Sequence, residues 1–383
     1  MEHLLNKRVQ NIEISGIRKF SNMVAGNKDI LSLTIGQPDF PTPDHIKEAA
    51  KSAIDENFTT YTHNAGDLTV RKAAADFVEK KYQLHYLPET EVIVTTGASE
   101  AIDIAFRTIL EEDVEVILPG PVYPGYEPII KLCGAEPVYV DIRENAFRFT
   151  AELIKKHITD KTRCIVLPYP SNPTGVSLNE SELQDIANLV ADKEIFILAD
   201  EIYSELVYDQ KHLSIASMLR EQTIVINGLS KSHSMTGWRI GLLFAPEVIC
   251  KEIVKVHQYN VTCASSISQR AALQALTVGI NDAEPMNKEY NKRRKYIFTR
   301  LKNMGLDVIM PDGAFYFLIK IPFAHMNSFE FCLDLVEKGK VAAVPGSAFS
   351  PLGEGFFRIS FAYSMDTLEE ACNRLESYLQ IYK

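Results

Sequence analysis

Between Glu91 and Phe244 the chain returns seven times to a short apolar run rich in β-branched residues: EVIVTT, EVILP, EPVYV, RCIVLP, IFILA, TIVIN and IGLLF. Runs this short and continuous read as strands buried on both faces, as in a largely parallel sheet. Two of the intervening segments, SEAIDIAFRTILEE and NESELQDIANLVADKE, place apolar residues at helical spacing. The second opens on Asn179 with Glu182 three residues on, the pattern of a capping box. Together they predict an α/β architecture, a mostly parallel seven-stranded sheet with helices on both faces.

The texture changes after about Ile280. A long charged helical pattern, EPMNKEYNKRRKYIFTRLKNMG, leads into GAFYFLIKI, GKVAAVPG and GFFRISFA, and a closing helix is expected near Met365–Tyr382. That order describes a smaller α+β domain. At 383 residues there is room for both units. The expected division is a large domain over 30–280 and a small domain made of 1–29 and 281–383, with an N-terminal arm. An amphipathic stretch at Gly16–Met23 is expected to join the small domain or to reach toward a partner subunit.

Bulk properties narrow the function. A hydrophobic fraction of 46% with 23% charged residues is that of a chain that folds on its own, and a net charge of -10 argues against a nucleic-acid binder. The one basic cluster, NKRRKY at Asn291–Tyr296, lies in a helical pattern and reads as a solvated helix face. Six cysteines without a C-x-x-C pair suit reduced thiols and not a disulfide framework or a metal site. No signal-peptide core opens the chain and nowhere do about eighteen apolar residues run together, so the expectation is a soluble, cytoplasmic protein with no membrane partner.

In open α/β sheets ligands bind beyond the carboxyl ends of the strands, so the residues just after each apolar run are the informative ones. After EVIVTT, Gly97-Ala98-Ser99 opens a helix whose free N–H groups suit a phosphate, or make an ordinary glycine turn with a serine cap. After EVILP, Tyr123 stands between prolines, a ring for stacking on a flat ligand or a core tyrosine. Asn172, in YPSNPTG, is by itself a turn signal. Asp200 ends IFILA, where a buried carboxylate needs a cationic or N–H partner, whether for a ligand or for a structural ion pair. Ser230 and Lys231 follow TIVIN, and Arg239 precedes the next run. Two cations at one sheet edge call for an anion between them.

Familiar alternatives fail on particular residues. A P-loop needs glycine where Ser230 stands, Gly97 has no G-x-G-x-x-G around it, and neither H-E-x-x-H nor G-x-S-x-G occurs. A planar pyridine carrying an aldehyde, a phenolic oxygen and a phosphate satisfies the whole set. That ligand is pyridoxal 5'-phosphate: Lys231 bonds the aldehyde, Asp200 keeps the ring nitrogen protonated, and Arg239, Ser230, Ser99 and the Gly97 helix start suit the phosphate.

The motifs SNPTG, ADEIY and SKSHSMTGWRIG occur in the order and approximate spacing of the class I/II aminotransferases, pyridoxal-phosphate enzymes of fold type I, which the chain resembles over nearly its whole length. That resemblance implies Lys231, Asp200 and Tyr203 as the catalytic group. It implies Asn172 and Tyr203 at the phenolic oxygen, Tyr123 on the ring face, and Ala98, Ser99, Ser230 and Arg239 at the phosphate. Tyr61, in YTHNAG, is implied to reach the phosphate of the neighbouring subunit's cofactor, hence a homodimer with shared active sites. Arg358 is implied to bind the substrate's α-carboxylate, with Gly36 and Asn172 beside it. The partners implied are a small amino acid and a 2-oxo acid, exchanging an amino group in a ping-pong reaction.

Two departures stand out. Many relatives carry serine or threonine where this chain has Gly228, and the second arginine that aspartate-type members use has no visible counterpart. The stretches LTIGQPDFPTP and YTHNAGDLTVRKA resemble the group acting on N-acetyl-LL-2,6-diaminopimelate with 2-oxoglutarate in lysine biosynthesis; relatives acting on aspartate, alanine or aromatic amino acids share much of that text. A pyridoxal-phosphate carbon–sulfur β-lyase is the rival enzyme. A DNA-binding regulator is the rival non-enzyme, and the absence of a basic helix-turn-helix pattern before the large domain speaks against it.

Overall fold

The seven apolar runs all become strands of one sheet: β1 (Val92–Thr95), β2 (Glu115–Gly120), β3 (Glu136–Asp141), β4 (Thr162–Leu167), β5 (Phe196–Asp200), β6 (Thr223–Gly228) and β7 (Gly241–Phe244). The computed structural model describes residues 1–382 apart from 25 and 28. It orders the strands β1-β7-β6-β5-β4-β2-β3. The neighbours β6/β5, β5/β4, β4/β2 and β2/β3 are parallel, whereas β7 runs antiparallel to both β6 and β1.

Side chains leave the strands alternately for two cores, which is why apolar residues stand at consecutive positions in the runs. Along β5, Ile197 and Ala199 enter one core and Leu198 the other. The first core is closed by helices that include α2 (Leu68–Tyr82), α4 (Glu180–Val190) and α6 (Ser266–Thr277). The second is closed by α3 (Ala98–Ile109) and α5 (Glu247–Asn260). Helix α4 starts on the expected capping box: Asn179 Oδ1 accepts the Glu182 N–H at 3.0 Å, and Glu182 Oε2 accepts the Asn179 N–H at 2.8 Å.

A third core joins α7 (Ala283–Asn303), α8 (Ser328–Gly339) and α9 (Met365–Gln380) to a three-stranded antiparallel sheet of order β9-β10-β8. Its strands are β8 (Tyr316–Lys320), β9 (Val344–Pro345) and β10 (Phe356–Ser360). The expected amphipathic stretch is the helix α1 (Gly16–Val24), and its Phe20 is fully buried in this third core. Leu31–Ser32 then pairs in parallel with Val341–Ala342, tying the start of the chain to its end.

The basic cluster of α7 is not the solvated face that its charge run suggests. Arg293 and Arg294 are buried. Arg293 pairs with Asp39 at 2.8 Å and with Glu289, and Arg294 pairs with Asp209, donates to the Pro311 carbonyl at 2.8 Å and lies over the Tyr208 ring. Both guanidiniums tie α7 to loop segments distant in sequence, Arg293 to the one carrying Asp39 and Arg294 to those carrying Asp209 and Pro311. Among the described residues no helix is long and apolar enough to cross a membrane.

Candidate active site

The carboxyl ends of β2, β4, β5 and β6 point to one edge, and the reversal of β7 brings its amino end to the same place. A cavity of about 330 Å³ opens there. Lys231 enters it from the short helix Leu229–Ser232 that follows β6, and its Nζ donates to the Gly36 carbonyl at 2.7 Å. Burial pulls the amine down to about 8, and the nearby Arg358 and Arg239 guanidiniums pull in the same direction, against Asp200.

Asp200 ends β5 and is buried. Its expected partner is an N–H or a cation; what it receives is the Ile202 N–H at 3.3 Å and, more closely, the phenol of Tyr126 at 2.5 Å. Burial raises the carboxyl, and the Tyr126 hydrogen bond opposes that rise. Tyr126 lines the cavity and was not singled out from sequence, although it shares the GPVYPGY loop with Tyr123. The rings of the two tyrosines meet edge to face at 5.5 Å.

Arg358, on β10, is 1% exposed, and among the described residues no carboxylate pairs with it. Nη1 donates to Asn172 Oδ1 at 2.9 Å and Nη2 to the Thr34 carbonyl at 2.5 Å, while Nε is buried without a partner. The guanidinium lies 4.3 Å from the Tyr316 ring centroid and 5.0 Å from that of Phe349. Burial lowers its proton affinity. A buried cation without a carboxylate partner, at the wall of a cavity, is a receptor for an anion. Tyr203 and Tyr316 share a hydrogen bond of 2.7 Å in the same wall. Gly36 has to be glycine, because a Cβ there would fall 2.2 Å from the Tyr316 hydroxyl.

The opposite end is built on the start of α3. Gly97 caps it with φ +84, and no side chain caps the first turn. Arg239 reaches over from the start of β7: a Cβ on Gly97 would lie 2.2 Å from its Nη2, which donates to the Thr96 carbonyl at 3.4 Å, while Nη1 donates to Thr236. Ala98, Ser99 and Ser230 line this end, with Ser230 buried and Ser99 exposed. At position 228 a side chain would press within 3.1 Å of both Ile202 Cδ1 and the Ile240 carbonyl, a physical reason for the missing hydroxyl. An amine, a carboxyl ending a strand and an uncapped helix start beside an arginine make up the donor set that pyridoxal phosphate needs.

The cavity thus gathers Gly36, Ala98, Ser99, Tyr123, Asn172, Asp200, Tyr203, Ser230, Lys231, Arg239 and Arg358. Tyr61 is not among them; it is 83% exposed. The model of the family "Aminotransferase class I and II" matches residues 28–375. The chain belongs to that family. It is 61% identical over 379 residues, 99% of this chain and 96% of the other, to a probable N-acetyl-LL-diaminopimelate aminotransferase of Bacillus subtilis. It is 40% identical to an aspartate aminotransferase of Pyrococcus abyssi, with 98% of each chain covered. Among solved structures, the aromatic aminotransferase of Pyrococcus horikoshii superposes with a TM-score of 0.90 at 40% identity, covering 96% of this chain and 99% of that one. The Thermus thermophilus aspartate aminotransferase with maleate gives 0.93 at 32% identity over 98% and 99%.

Besides Tyr126, this aminotransferase lines its cavity with Ile17, Thr236 and Tyr316, none of them singled out from sequence. Thr236 lies within the SKSHSMTGWRIG motif and Tyr316 within GAFYFLIKI, so only their surroundings gave a signal. Ile17 comes from α1, which carries an apolar side chain from the chain's start to the site.

Proposed function

We propose that this aminotransferase holds pyridoxal 5'-phosphate in the cavity and exchanges an amino group between N-acetyl-LL-2,6-diaminopimelate and 2-oxoglutarate, a step of lysine biosynthesis. The observation that carries the reaction is the Lys231 amine, its proton affinity lowered by burial, in one cavity with the unpaired guanidinium of Arg358. The substrate assignment is supported by the 61% identity with the Bacillus subtilis relative, against 34% to 41% for the relatives named for aspartate and aromatic amino acids. The proposal includes a homodimer in the cytoplasm, with exposed Tyr61 reaching the partner's phosphate, and the division of the chain at about 30 and 280.

Lys231 would hold the aldehyde, Asp200 the ring nitrogen, Asn172 and Tyr203 the phenolic oxygen, Tyr123 the ring face, and Ala98, Ser99, Ser230 and Arg239 the phosphate. When bound, the cofactor supplies a carbonyl for the amino group and a sink for the electrons left at the α-carbon. Arg358, with Gly36 and Asn172 beside it, grips the α-carboxylate and so aims the α-carbon's hydrogen at Lys231. Lys231, once free, takes that proton and returns it on the other side of the exchange. Asp200 keeps its proton partner charged, with Tyr126 holding the carboxylate in place.

Rates with 2-oxoglutarate as acceptor test the substrate. We expect kcat/KM for the acetylated diaminopimelate to exceed that for aspartate, alanine, tyrosine and phenylalanine by at least about tenfold, the discrimination that one or two well-made polar contacts supply. A better rate with any of those would overturn the assignment, and pyruvate with ammonia from cystathionine would replace transamination by β-elimination.

Two further outcomes follow from the site. Because the amine is lowered to about 8, its neutral form dominates above that pH and is scarce below it. The rate at which cofactor-stripped protein captures pyridoxal phosphate, followed by near-visible absorbance, should rise through about pH 8 and level off; a rate still climbing at pH 10 would contradict it. A Tyr126→Phe change removes the closer of the Asp200 hydrogen bonds and leaves that carboxyl readier to hold a proton. Turnover should fall roughly tenfold, the effect of one lost hydrogen bond to a charged group, and an unchanged kcat would exclude Tyr126 from this role.

A further inference from the structure

Behind the phosphate end of the cavity lies a second set of contacts whose residues do not line it. Glu100 stands in the first turn of α3, next to Ser99. Its Oε2 accepts the Thr96 N–H at 2.5 Å, and its Oε1 lies 2.7 Å from Nδ1 of His257 on α5. His257 is fully buried, and its other nitrogen, Nε2, is buried without a hydrogen-bond partner. Among the described residues the ring's one hydrogen-bond partner is therefore Glu100. Thr96 is held from the other side too, since Arg239 donates to its carbonyl. Thr96, which leads into Gly97, is clamped between a carboxylate on its N–H and a guanidinium on its carbonyl.

This arrangement sets up an electrostatic conflict. The turn from Thr96 to Ser99 is where an anion would rest, and a largely buried carboxylate attached to the same turn repels anions. An imidazole N–H donated to Glu100 offsets that repulsion and fixes the direction in which the carboxylate faces Thr96. The other nearby acid of α3, Asp103, is occupied by Arg107 and Asn260. A histidine sunk among apolar helices for a single contact is explained if that contact matters to what the turn binds.

We propose that His257 is a positioning residue for the cofactor's phosphate: through Glu100 it holds the Thr96–Ser99 turn in shape and shields the phosphate from the carboxylate. The inference rests on the assignment of this cavity to pyridoxal phosphate. Pyridoxal phosphate and pyridoxal share ring and aldehyde and differ in the phosphate, so the ratio of their dissociation constants isolates the phosphate's contribution from any general loosening. Both are titrated into the cofactor-stripped full-length protein. His257→Leu should lower the preference for the phosphorylated form by at least about tenfold, the size of one charge-assisted hydrogen bond. His257→Phe, which fills the same space, carries the same expectation should the leucine variant not fold. Glu100→Gln should keep the preference, because its amide oxygen still accepts from Thr96 without a charge, and it should restore the preference when combined with His257→Leu. An unchanged ratio in the His257 variants overturns the proposal even if they melt earlier, and so does a double variant that regains nothing. A wild-type protein with no preference for the phosphorylated form would overturn the assignment of the cavity itself.

Discussion

A Lys231→Ala protein should lose nearly all turnover, by at least about a thousandfold, the range in which a positioned proton-transfer group acts. Two functions go with the one amine. It is the group that would hold the cofactor covalently, and it would be the base that takes the proton from the α-carbon and later returns it. The site shows why no neighbour substitutes. The guanidiniums of Arg358 and Arg239 are donors with no acceptor atom, Asp200 is closed in by Tyr126 and Ile202, and the hydroxyls of Tyr203 and Tyr316 bond each other with their proton affinity raised by burial. The check is steady-state turnover with glutamate as donor, together with the near-visible absorption of the protein supplied with pyridoxal phosphate. The band should be displaced or lost in the variant, and a variant with normal band and normal rate would end the assignment of Lys231. Asp200→Ala should lose activity by a different route, keeping Lys231 able to capture the aldehyde while proton abstraction fails.

Much of this site was legible because strand ends in an α/β sheet are where polar residues have no structural reason to gather. Asp200, Lys231 and Arg239 each stand at the end or start of an apolar run, and the sheet brings those ends together. The direction of β7 was legible only indirectly: an apolar run has the same appearance whichever way it is threaded, but placing Arg239 at the same edge as Lys231 requires the connection after Gly228 to turn back there, as it does. Tyr126 and Tyr316 were missed because an aromatic residue among apolar ones reads as core, and only the hydroxyl's partner separates the two cases. Arg293 and Arg294 failed in the opposite sense. Their local text is that of a solvated helix, while the partner that buries Arg293, Asp39, comes from a distant part of the chain. Local patterning reports the sheet; it does not report contacts between the two ends of the sequence.

Arg358 carries the second large effect. Arg358→Leu should lower kcat/KM for amino donor and oxo acid alike by roughly a hundredfold to a thousandfold, the loss attached to a desolvated, bidentate charge pair. Stability should move little or rise, because this guanidinium is buried without a carboxylate and its removal relieves an unpaired charge. A residue that serves the fold alone would show the opposite pattern, early melting with KM unchanged. Arg358→Lys separates charge from geometry. An ammonium carries the charge but has no planar fork with which to bond Thr34, Asn172 and a carboxylate together, so it should recover only a small part of the lost kcat/KM. Melting curves and saturation kinetics for both substrates, on both variants, are the measurements. Full kcat/KM in Arg358→Leu would place the α-carboxylate elsewhere in the cavity and end the assignment of Arg358.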